Sequence, residues 1–192
     1  MKRCTRMARP AVAVLAAGLG TRFGGNKLEA MCAGKPLGRW AIDAAEVAGL
    51  GRGMIVTGPE GVSFANGWAK VVNSAPEEGL GSSLALAAQL ALMGGEETLL
   101  ILLADMPLVS ADYVSELASQ AAPAATRYPK GHAGVPALLD RELIELASRL
   151  SGDHGAGPLL REATLLQPPL GLLRDVDTPE DLAEVEAQLL AR

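Results

Sequence analysis

Short apolar runs alternate along the chain with longer segments in which apolar residues recur every three or four positions. The short runs predict buried strands, and the periodic segments predict helices that pack on them. We expect strands or extended segments at 12–17, 54–57, 69–73, 98–104, 124–128 and 170–176. We expect helices at 36–48, 81–93, 110–120, 138–150, 158–163 and 178–190. This alternation predicts an α/β fold with a single doubly wound, mostly parallel sheet.

Residues that favour the start of a helix stand at several of these boundaries. Pro36 is expected in the first turn of its helix, and Pro179 at the first helical position of the last one. Ser82, Ser110 and Thr178 are expected to be N-caps, because their hydroxyls can accept from unpaired backbone N–H groups.

The chain has 192 residues, which is enough for one good-sized core and too few for two comfortable domains. We therefore expect a single domain at 11–192, preceded by a basic leader at 1–10 that is expected to be disordered. The apolar run after this leader is only as long as the shortest apolar regions of secretory signal peptides. No stretch of the sequence approaches the ~20 apolar residues of a membrane span.

Charge and cysteine content narrow the class of protein further. The net charge of −5 argues against a broad nucleic-acid surface, which needs clustered cations. Cys4 and Cys32 show neither metal-ligand spacing nor a disulfide framework, as is common in the reducing cytosol. We therefore expect a cytoplasmic protein that binds neither nucleic acid nor membranes.

The first strand leads directly into a glycine-rich loop with two cations. Glycines leave backbone amides unshielded, and fixed cations beside such amides suit a polyphosphate. Arg22 and Lys27 are expected to be exposed and to bind nucleotide phosphates, so that replacing Lys27 would leave the fold intact. The glycines of the loop are Gly18, Gly20, Gly24 and Gly25.

Two common phosphate-binding motifs do not fit this loop. A dinucleotide fingerprint needs a third glycine where Phe23 stands, and a Walker A loop needs a hydroxyl residue after Gly-Lys, where Pro36 stands.

Three aspartates at or near the ends of apolar segments are candidate metal ligands. Asp105 comes directly after the most apolar strand, at the carboxyl end where open α/β sheets hold ligands. Asp175 and Asp177 precede Thr178, and either could cap the last helix instead of binding a metal. Because Thr178 is better placed as the cap, Asp177 is the preferred second ligand, ahead of Asp175.

Two segments near the N-terminus resemble the N-terminal signature of the MobA-like nucleotidyltransferases. They are Leu15-Ala-Ala-Gly-Leu-Gly-Thr-Arg-Phe-Gly-Gly-Asn-Lys27 and Gly34-Lys-Pro-Leu37. Further blocks follow in the family's order, so the resemblance covers nearly the whole chain. They are Asn73, Gly79-Leu-Gly-Ser-Ser-Leu84, Leu103-Ala-Asp-Met-Pro-Leu108, Gly152-Asp-His-Gly-Ala156 and Asp175-Val-Asp-Thr-Pro-Glu-Asp-Leu182. At Ala16-Ala17 the loop resembles that of the molybdenum cofactor cytidylyltransferases, which carry Ala-Ala at these positions, whereas the guanylyltransferases carry Ala-Gly there.

The resemblance implies a three-layer sandwich like that of the nucleotide-diphospho-sugar transferases, and transfer of CMP from CTP to molybdopterin with release of pyrophosphate. It implies Mg²⁺, with Mn²⁺ as an alternative, on Asp105 and Asp177, and catalytic roles for Arg22, Lys27 and Asp105. A client molybdoenzyme is a further partner that it allows. The implied nucleotide-binding residues are Leu15, Ala16, Ala17, Gly18, Gly20, Arg22, Lys27, Asn73, Ser82 and Ser83.

Other functions stay open at this point. The nucleotide could be GTP, the acceptor could be a sugar or polyol phosphate, and the protein could be a non-catalytic carrier of the molybdenum cofactor. The sequence departs from the cytidylyltransferase pattern at Val135, where histidine is typical, and at Gly157, where arginine is usual. His132 and His154 have no partner at a ligand spacing and are not expected to bind metal.

Overall fold

A computed structural model describes residues 9–18, 20–152 and 155–192. Most of the predicted basic leader and His154 therefore lie outside the described residues. No helix in the described part is long and apolar enough to cross a membrane.

The nine strands of the described residues are β1 Ala11–Ala16, β2 Met31–Cys32, β3 Lys35–Pro36, β4 Met54–Thr57, β5 Ala69–Val72, β6 Thr98–Leu103, β7 Ala124–Arg127, β8 Ala133–Asp140 and β9 Thr164–Leu166. The α-helices described are α1 Arg39–Val47, α2 Leu80–Met93, α3 Ala111–Ala118, α4 Arg141–Ala147 and α5 Pro179–Leu190. Single turns or short stretches of 3₁₀-helix lie at Lys27–Glu29, Pro76–Glu78, Pro129–Gly131 and Gly157–Glu162.

Seven of the described strands form one sheet in the order β5-β4-β1-β6-β8-β7-β9, and β2 and β3 form a separate hairpin. Every neighbouring pair is parallel except the two that involve β8. Helices α1, α3 and α5 cover one face of the sheet, and α2 and α4 cover the other. The prediction of a doubly wound, mostly parallel sheet in three layers is confirmed.

The predicted helix at 138–150 is wrong in its first part. Leu138 and Leu139 belong to β8, where they pair with Leu100 and Leu99 of β6. The spacing of Leu139 with Leu143, Leu146 and Leu150 fits a helix. Leu138 and Leu139 are instead buried on opposite faces of the sheet, and β8 pairs with β6 along one edge and with β7 along the other, which favours the strand. The helix α4 begins only after Asp140, whose side chain accepts from the backbone N–H of Leu143 at 2.9 Å.

Two predicted helix starts are also corrected. Pro36 lies in β3, and α1 begins at Arg39 after Gly38. Ser82 is not an N-cap, because α2 begins at Leu80 after Gly79, and the Ser82 hydroxyl instead donates to the Gly79 carbonyl at 2.8 Å. The residue at the cap position, Gly79, has a φ of +94°, a conformation that residues with a side chain rarely adopt.

The other predicted caps are confirmed. Ser110 accepts from the N–H of Tyr113 at 3.3 Å. Thr178 and Asp181 form a complete capping box at the start of α5. The segment before this box forms no strand among the described residues, but the N–H of Val176 donates to the carbonyl of Asp105 at 3.0 Å and holds the segment beside the end of β6.

Candidate active site

The glycine-rich loop leaves the carboxyl end of β1 and closes at the 3₁₀ turn Lys27–Glu29. Gly20 has a φ of +56°, and a Cβ on it would lie 2.9 Å from the Gly25 carbonyl oxygen, so only glycine fits this turn without strain. Gly18 is different, because a Cβ there would meet no heavy atom within 4 Å. Its bare backbone therefore faces open space rather than packing against the protein.

Lys27, Asp105 and Asp177 meet at the carboxyl edge of the sheet in what we call the lysine–aspartate cluster. The Lys27 Nζ donates to Asp105 Oδ2 at 2.9 Å, to Asp177 Oδ1 at 3.1 Å and to the Val176 carbonyl oxygen at 2.8 Å. An ammonium has three protons, so all of its donors are satisfied. These three residues come from distant parts of the chain, and the sequence-derived pairing of Asp105 with Asp177 at one edge agrees with this geometry.

The expectation that Lys27 is an exposed loop cation is wrong. Its side chain is only 7% exposed, whereas the side chains of Asp105 and Asp177 are 26% and 39% exposed. Arg22 is exposed as expected, at 77%, and its guanidinium donates to Asp177 Oδ2 at 2.9 Å. Arg22 and Lys27 therefore bind the same carboxylate, that of Asp177, although Arg22 is exposed and Lys27 is buried.

The charges of the cluster keep Lys27 protonated. Burial disfavours the ammonium and by itself would lower its pKa, but the neighbouring Asp105 and Asp177 outweigh this, and the pKa of Lys27 is raised above its ordinary value. Burial also raises the pKa of Tyr128 to about 12, with further contributions from Asp175 and Asp105. Tyr128 is therefore a neutral hydrogen-bond donor at physiological pH.

A cleft of about 500 Å³, here the proximal cleft, opens at the carboxyl ends of β1, β4 and β5. Ala16, Ala17, Gly18 and Lys27 line one side of it. The loop after β4 forms the other side, and Glu29 fixes that loop because its carboxylate accepts from both the N–H and the hydroxyl of Ser63 at 2.6 Å. Further lining residues are Gly25, Asn26, Leu28, Gly58, Pro59, Glu60, Gly61, Val62, Ser74, Pro76 and Glu77.

Three other expected nucleotide-binding residues bind one another. The side-chain amide of Asn73 donates to the hydroxyls of Ser82 and Ser83 at 2.8 and 2.9 Å. This contact ties the end of β5 to the first turn of α2, next to Ser74 in the proximal cleft. Leu15 is buried within β1, and neither Gly20 nor Arg22 is among the residues that line this cleft.

A larger cleft of about 820 Å³, here the distal cleft, lies at the ends of β7 and β9. In the strand order these strands and the strands of the proximal cleft lie on opposite sides of β6, the strand that Asp105 follows. Its described lining contains the cations Arg127, Lys130 and Arg174 and no carboxylate. Arg174 is paired with Asp181 and Glu184, while Arg127 and Lys130 form no ion pair with any described residue.

Tyr128 lies between the distal cleft and the residue that follows Asp105, and its hydroxyl donates to the Val135 carbonyl at 2.6 Å. It lines the cleft, and its hydroxyl lies 3.8 Å from the sulfur of Met106, which directly follows Asp105. A Cβ on Gly134 would come within 2.6 Å of the Tyr128 ring, so this glycine makes room for the tyrosine. Sequence reasoning missed Tyr128 and the cleft cations, and the local signal that could have indicated a ligand-bordering loop there is the pair of glycines, Gly131 and Gly134, beside them.

Within the described residues no group of three or more histidine, cysteine, aspartate or glutamate side chains gathers that could hold a metal ion. His132 lines a smaller pocket of about 440 Å³ with Arg161 and Gly157. The lysine–aspartate cluster contributes two aspartates, one fewer than such a group would need.

Solved structures with this fold support the architecture. Rv0371c from Mycobacterium tuberculosis H37Rv has a TM-score of 0.81 at 22% identity, with 94% of this chain and 99% of that chain covered. Its complex with manganese has a TM-score of 0.75 at 21% identity, covering 94% and 99%. A nucleotidyl transferase from Methanothermobacter thermautotroptrophicus, Mth528, has a TM-score of 0.76 at 20% identity, covering 95% and 98%. At these identities the likeness establishes the fold.

The α/β fold, with a cationic glycine loop beside a carboxylate pair, is the setting in which the family match is to be placed, and that match defines the class as NTP transferase. The family model of the MobA-like NTP transferase domain matches residues 12–167, and the chain belongs to this family. It is also similar to the purine catabolism protein PucB of Bacillus subtilis (strain 168), with 29% identity over 186 residues that cover 87% of this chain and 91% of PucB.

Proposed function

We propose that this enzyme transfers CMP from CTP to the terminal phosphate of a molybdopterin-type cofactor and releases pyrophosphate. The observation that carries the proposal is the position of the lysine–aspartate cluster between two clefts at one edge of the sheet. The proximal cleft adjoins the glycine loop and suits a nucleoside triphosphate. The distal cleft, with its cations and without a described carboxylate, suits an anionic acceptor.

The cluster fits a divalent cation by the chemistry of its donors. Two carboxylates and one carbonyl oxygen converge on a single cationic position, and these are oxygen ligands that Mg²⁺ and Mn²⁺ take. Asp105 and Asp177 would hold the ion, with phosphate oxygens and water completing its shell. The manganese complex of the fold relative Rv0371c supports a metal in this fold. When bound, such an ion neutralises charge on the reacting phosphates.

The chain's own residues supply positioning and further charge. An oxygen of the acceptor phosphate attacks the α-phosphorus of CTP, and the bond from that phosphorus to the bridging oxygen of pyrophosphate breaks. Lys27 and Arg22 stabilise the negative charge that develops on pyrophosphate. A phosphomonoester has a second pKa near ~6 and is mostly ionised at neutral pH, so the attacking oxygen needs no general base.

The methyl group of Ala17 is proposed to favour CTP over GTP, because it narrows the proximal cleft beside the end of β1. Ala17→Gly is expected to shift the preference toward GTP by about tenfold, as is typical for one methyl group in a pocket. The measurement is competition between CTP and GTP. Gly18→Ala is the matched control, since its methyl would enter open space in the cleft and should weaken both nucleotides alike. A wild-type preference for GTP, or an unchanged preference in Ala17→Gly, contradicts the steric argument.

Arg127 and Lys130 are proposed to attract the acceptor. The double variant Arg127→Gln/Lys130→Gln is expected to raise the KM for the acceptor by about tenfold or more, because each lost cation removes a charge-assisted contact. The KM for CTP should not change. Arg149→Gln, which removes an exposed arginine outside both clefts, is the control. An equal rise in both KM values would place these cations on the nucleotide side instead.

The reaction itself is tested with purified protein, Mg²⁺, molybdopterin and a panel of CTP, GTP, ATP and UTP, by measuring pyrophosphate and the dinucleotide product. CTP is expected to give the fastest release. Release of pyrophosphate only with GTP would show that GTP, not CTP, is the nucleotide substrate. Release only with a sugar or polyol phosphate would show that molybdopterin is not the acceptor. Binding of the cofactor without any pyrophosphate release would favour a carrier.

A further inference from the structure

We infer that the Lys27 ammonium occupies the position of the divalent cation in the nucleotide-free protein, so that metal binding depends on prior or simultaneous binding of the nucleotide. This inference rests on the proposed nucleotide and metal site. It adds a role for Lys27 before catalysis, in addition to its contact with the leaving pyrophosphate.

The contacts of the Lys27 Nζ carry the first step of the argument. Its three partners, Asp105 Oδ2, Asp177 Oδ1 and the Val176 carbonyl, lie 2.8–3.1 Å away and use every ammonium proton. These partners are also the hard oxygen donors that a divalent cation would need. One space between two carboxylates cannot hold an ammonium and a metal ion at once, so the two cations compete.

The second step concerns what could move. The backbone of the turn Lys27–Glu29 is held by bonds from the Lys27 N–H to Gly25 and from the Ala30 N–H to Lys27. Glu29 also ties the turn to Ser63. The long side chain of Lys27 can therefore change its position while the backbone of this turn stays in place.

The third step gives the direction of that change. Lys27 already lines the proximal cleft, where the nucleotide is proposed to bind. A triphosphate in this cleft offers the ammonium more negative charge than two partly exposed carboxylates do, so Lys27 can turn toward the phosphates. The aspartates are then available to a metal ion that shares those same phosphates. Lys27 thereby couples the two ligands, and protects the carboxylates from free cations until a nucleotide arrives.

The test measures binding of Mn²⁺ alone by electron paramagnetic resonance, without nucleotide or turnover. Lys27→Met is expected to bind Mn²⁺ about tenfold or more tightly than wild type, because the competing state is removed. Arg22→Met is the matched control: it removes another positive charge in contact with Asp177, but from an exposed position outside the three-oxygen site. Arg22→Met should change the affinity by no more than about threefold, as for other exposed ion pairs.

Lys27→Gln is a second variant in case Lys27→Met does not fold, because its amide can still donate to the carboxylates. Adding Asp105→Asn to either variant should abolish the gain in affinity, which locates the ion. Equal effects of the Lys27 and Arg22 variants, or Mn²⁺ binding to the Lys27 variants no tighter than to wild type, would overturn the inference. A protein that gives the expected Mn²⁺ result but does not transfer CMP would overturn the proposed reaction and leave this inference standing.

Discussion

Asp105→Asn is expected to lower the rate of nucleotidyl transfer by about 10³-fold, the upper part of the range for one lost electrostatic contact at a reacting centre. The carboxylate follows β6 and accepts from the buried Lys27 ammonium at 2.9 Å. Asparagine keeps the shape and a hydrogen-bond acceptor, but it removes the charge that a hard dication requires. Steady-state turnover should be compared with CTP affinity measured in the presence and absence of Mg²⁺. Binding without metal should persist.

Asp175→Asn is the matched control for this result. Asp175 is exposed and carries the same charge two positions before Asp177, but it makes no described contact with Lys27. Its replacement should leave turnover close to wild type. Asp177→Asn should lower turnover less than Asp105→Asn and should not remove the cap of α5, which Thr178 provides. Full Mg²⁺-dependent turnover in Asp105→Asn would rule out the proposed site.

Lys27→Ala is expected to lower turnover by about 10²–10³-fold and also to destabilise the protein. The ammonium is buried and joins two segments that are about 80 and 150 positions away along the chain, at Asp105 and Asp177. Its loss leaves the Asp105 carboxylate and the Val176 carbonyl without their partner. Since both aspartates are partly exposed to water, we expect a loss of about 1–3 kcal/mol in the free energy of unfolding rather than the larger cost of a fully buried pair.

Urea unfolding at several pH values measures this loss. Because the pKa of Lys27 is raised in the folded protein, its stabilising contribution is complete below the ordinary lysine value of 10.5 and is lost as the pH rises through the raised value. The difference between wild type and Lys27→Ala should therefore be constant across neutral pH. Arg22→Ala should change stability by less than about 0.5 kcal/mol, as for an exposed pair. Unchanged stability in Lys27→Ala would mean that the ammonium does not hold these segments together.

Local patterns were sufficient for much of the fold. The apolar run at 98–104 predicted a central strand because only a strand covered on both faces needs no polar side, and the structure has β6 there. The same reasoning placed Asp105 at the carboxyl edge. The cap at Thr178 was also predictable, because a capping box uses contacts within four residues of sequence.

The segment 133–140 shows where local patterns were insufficient. Leu139 shares a helical period with Leu143, Leu146 and Leu150 of the next segment, and a short apolar run can be a buried strand or part of a helix. The choice depends on whether β6 and β7 are there to pair with it. The short strand β9 went unrecognised for the same reason, since three residues carry no period of their own.

By itself, the sequence determined the α/β class and the place of Asp105 at the carboxyl edge of the sheet, because the first depends on the periodicity of neighbouring residues and the second on the direction of the strand before it. The glycine-rich loop after β1 was also visible in the sequence, while its role in binding phosphate stays a prediction. The tertiary structure alone decided that Lys27 is buried between Asp105 and Asp177, and that a cationic cleft opens beyond Tyr128. Both features depend on segments far apart in the chain that meet only after the sheet has formed. No spacing within a single segment could contain that information.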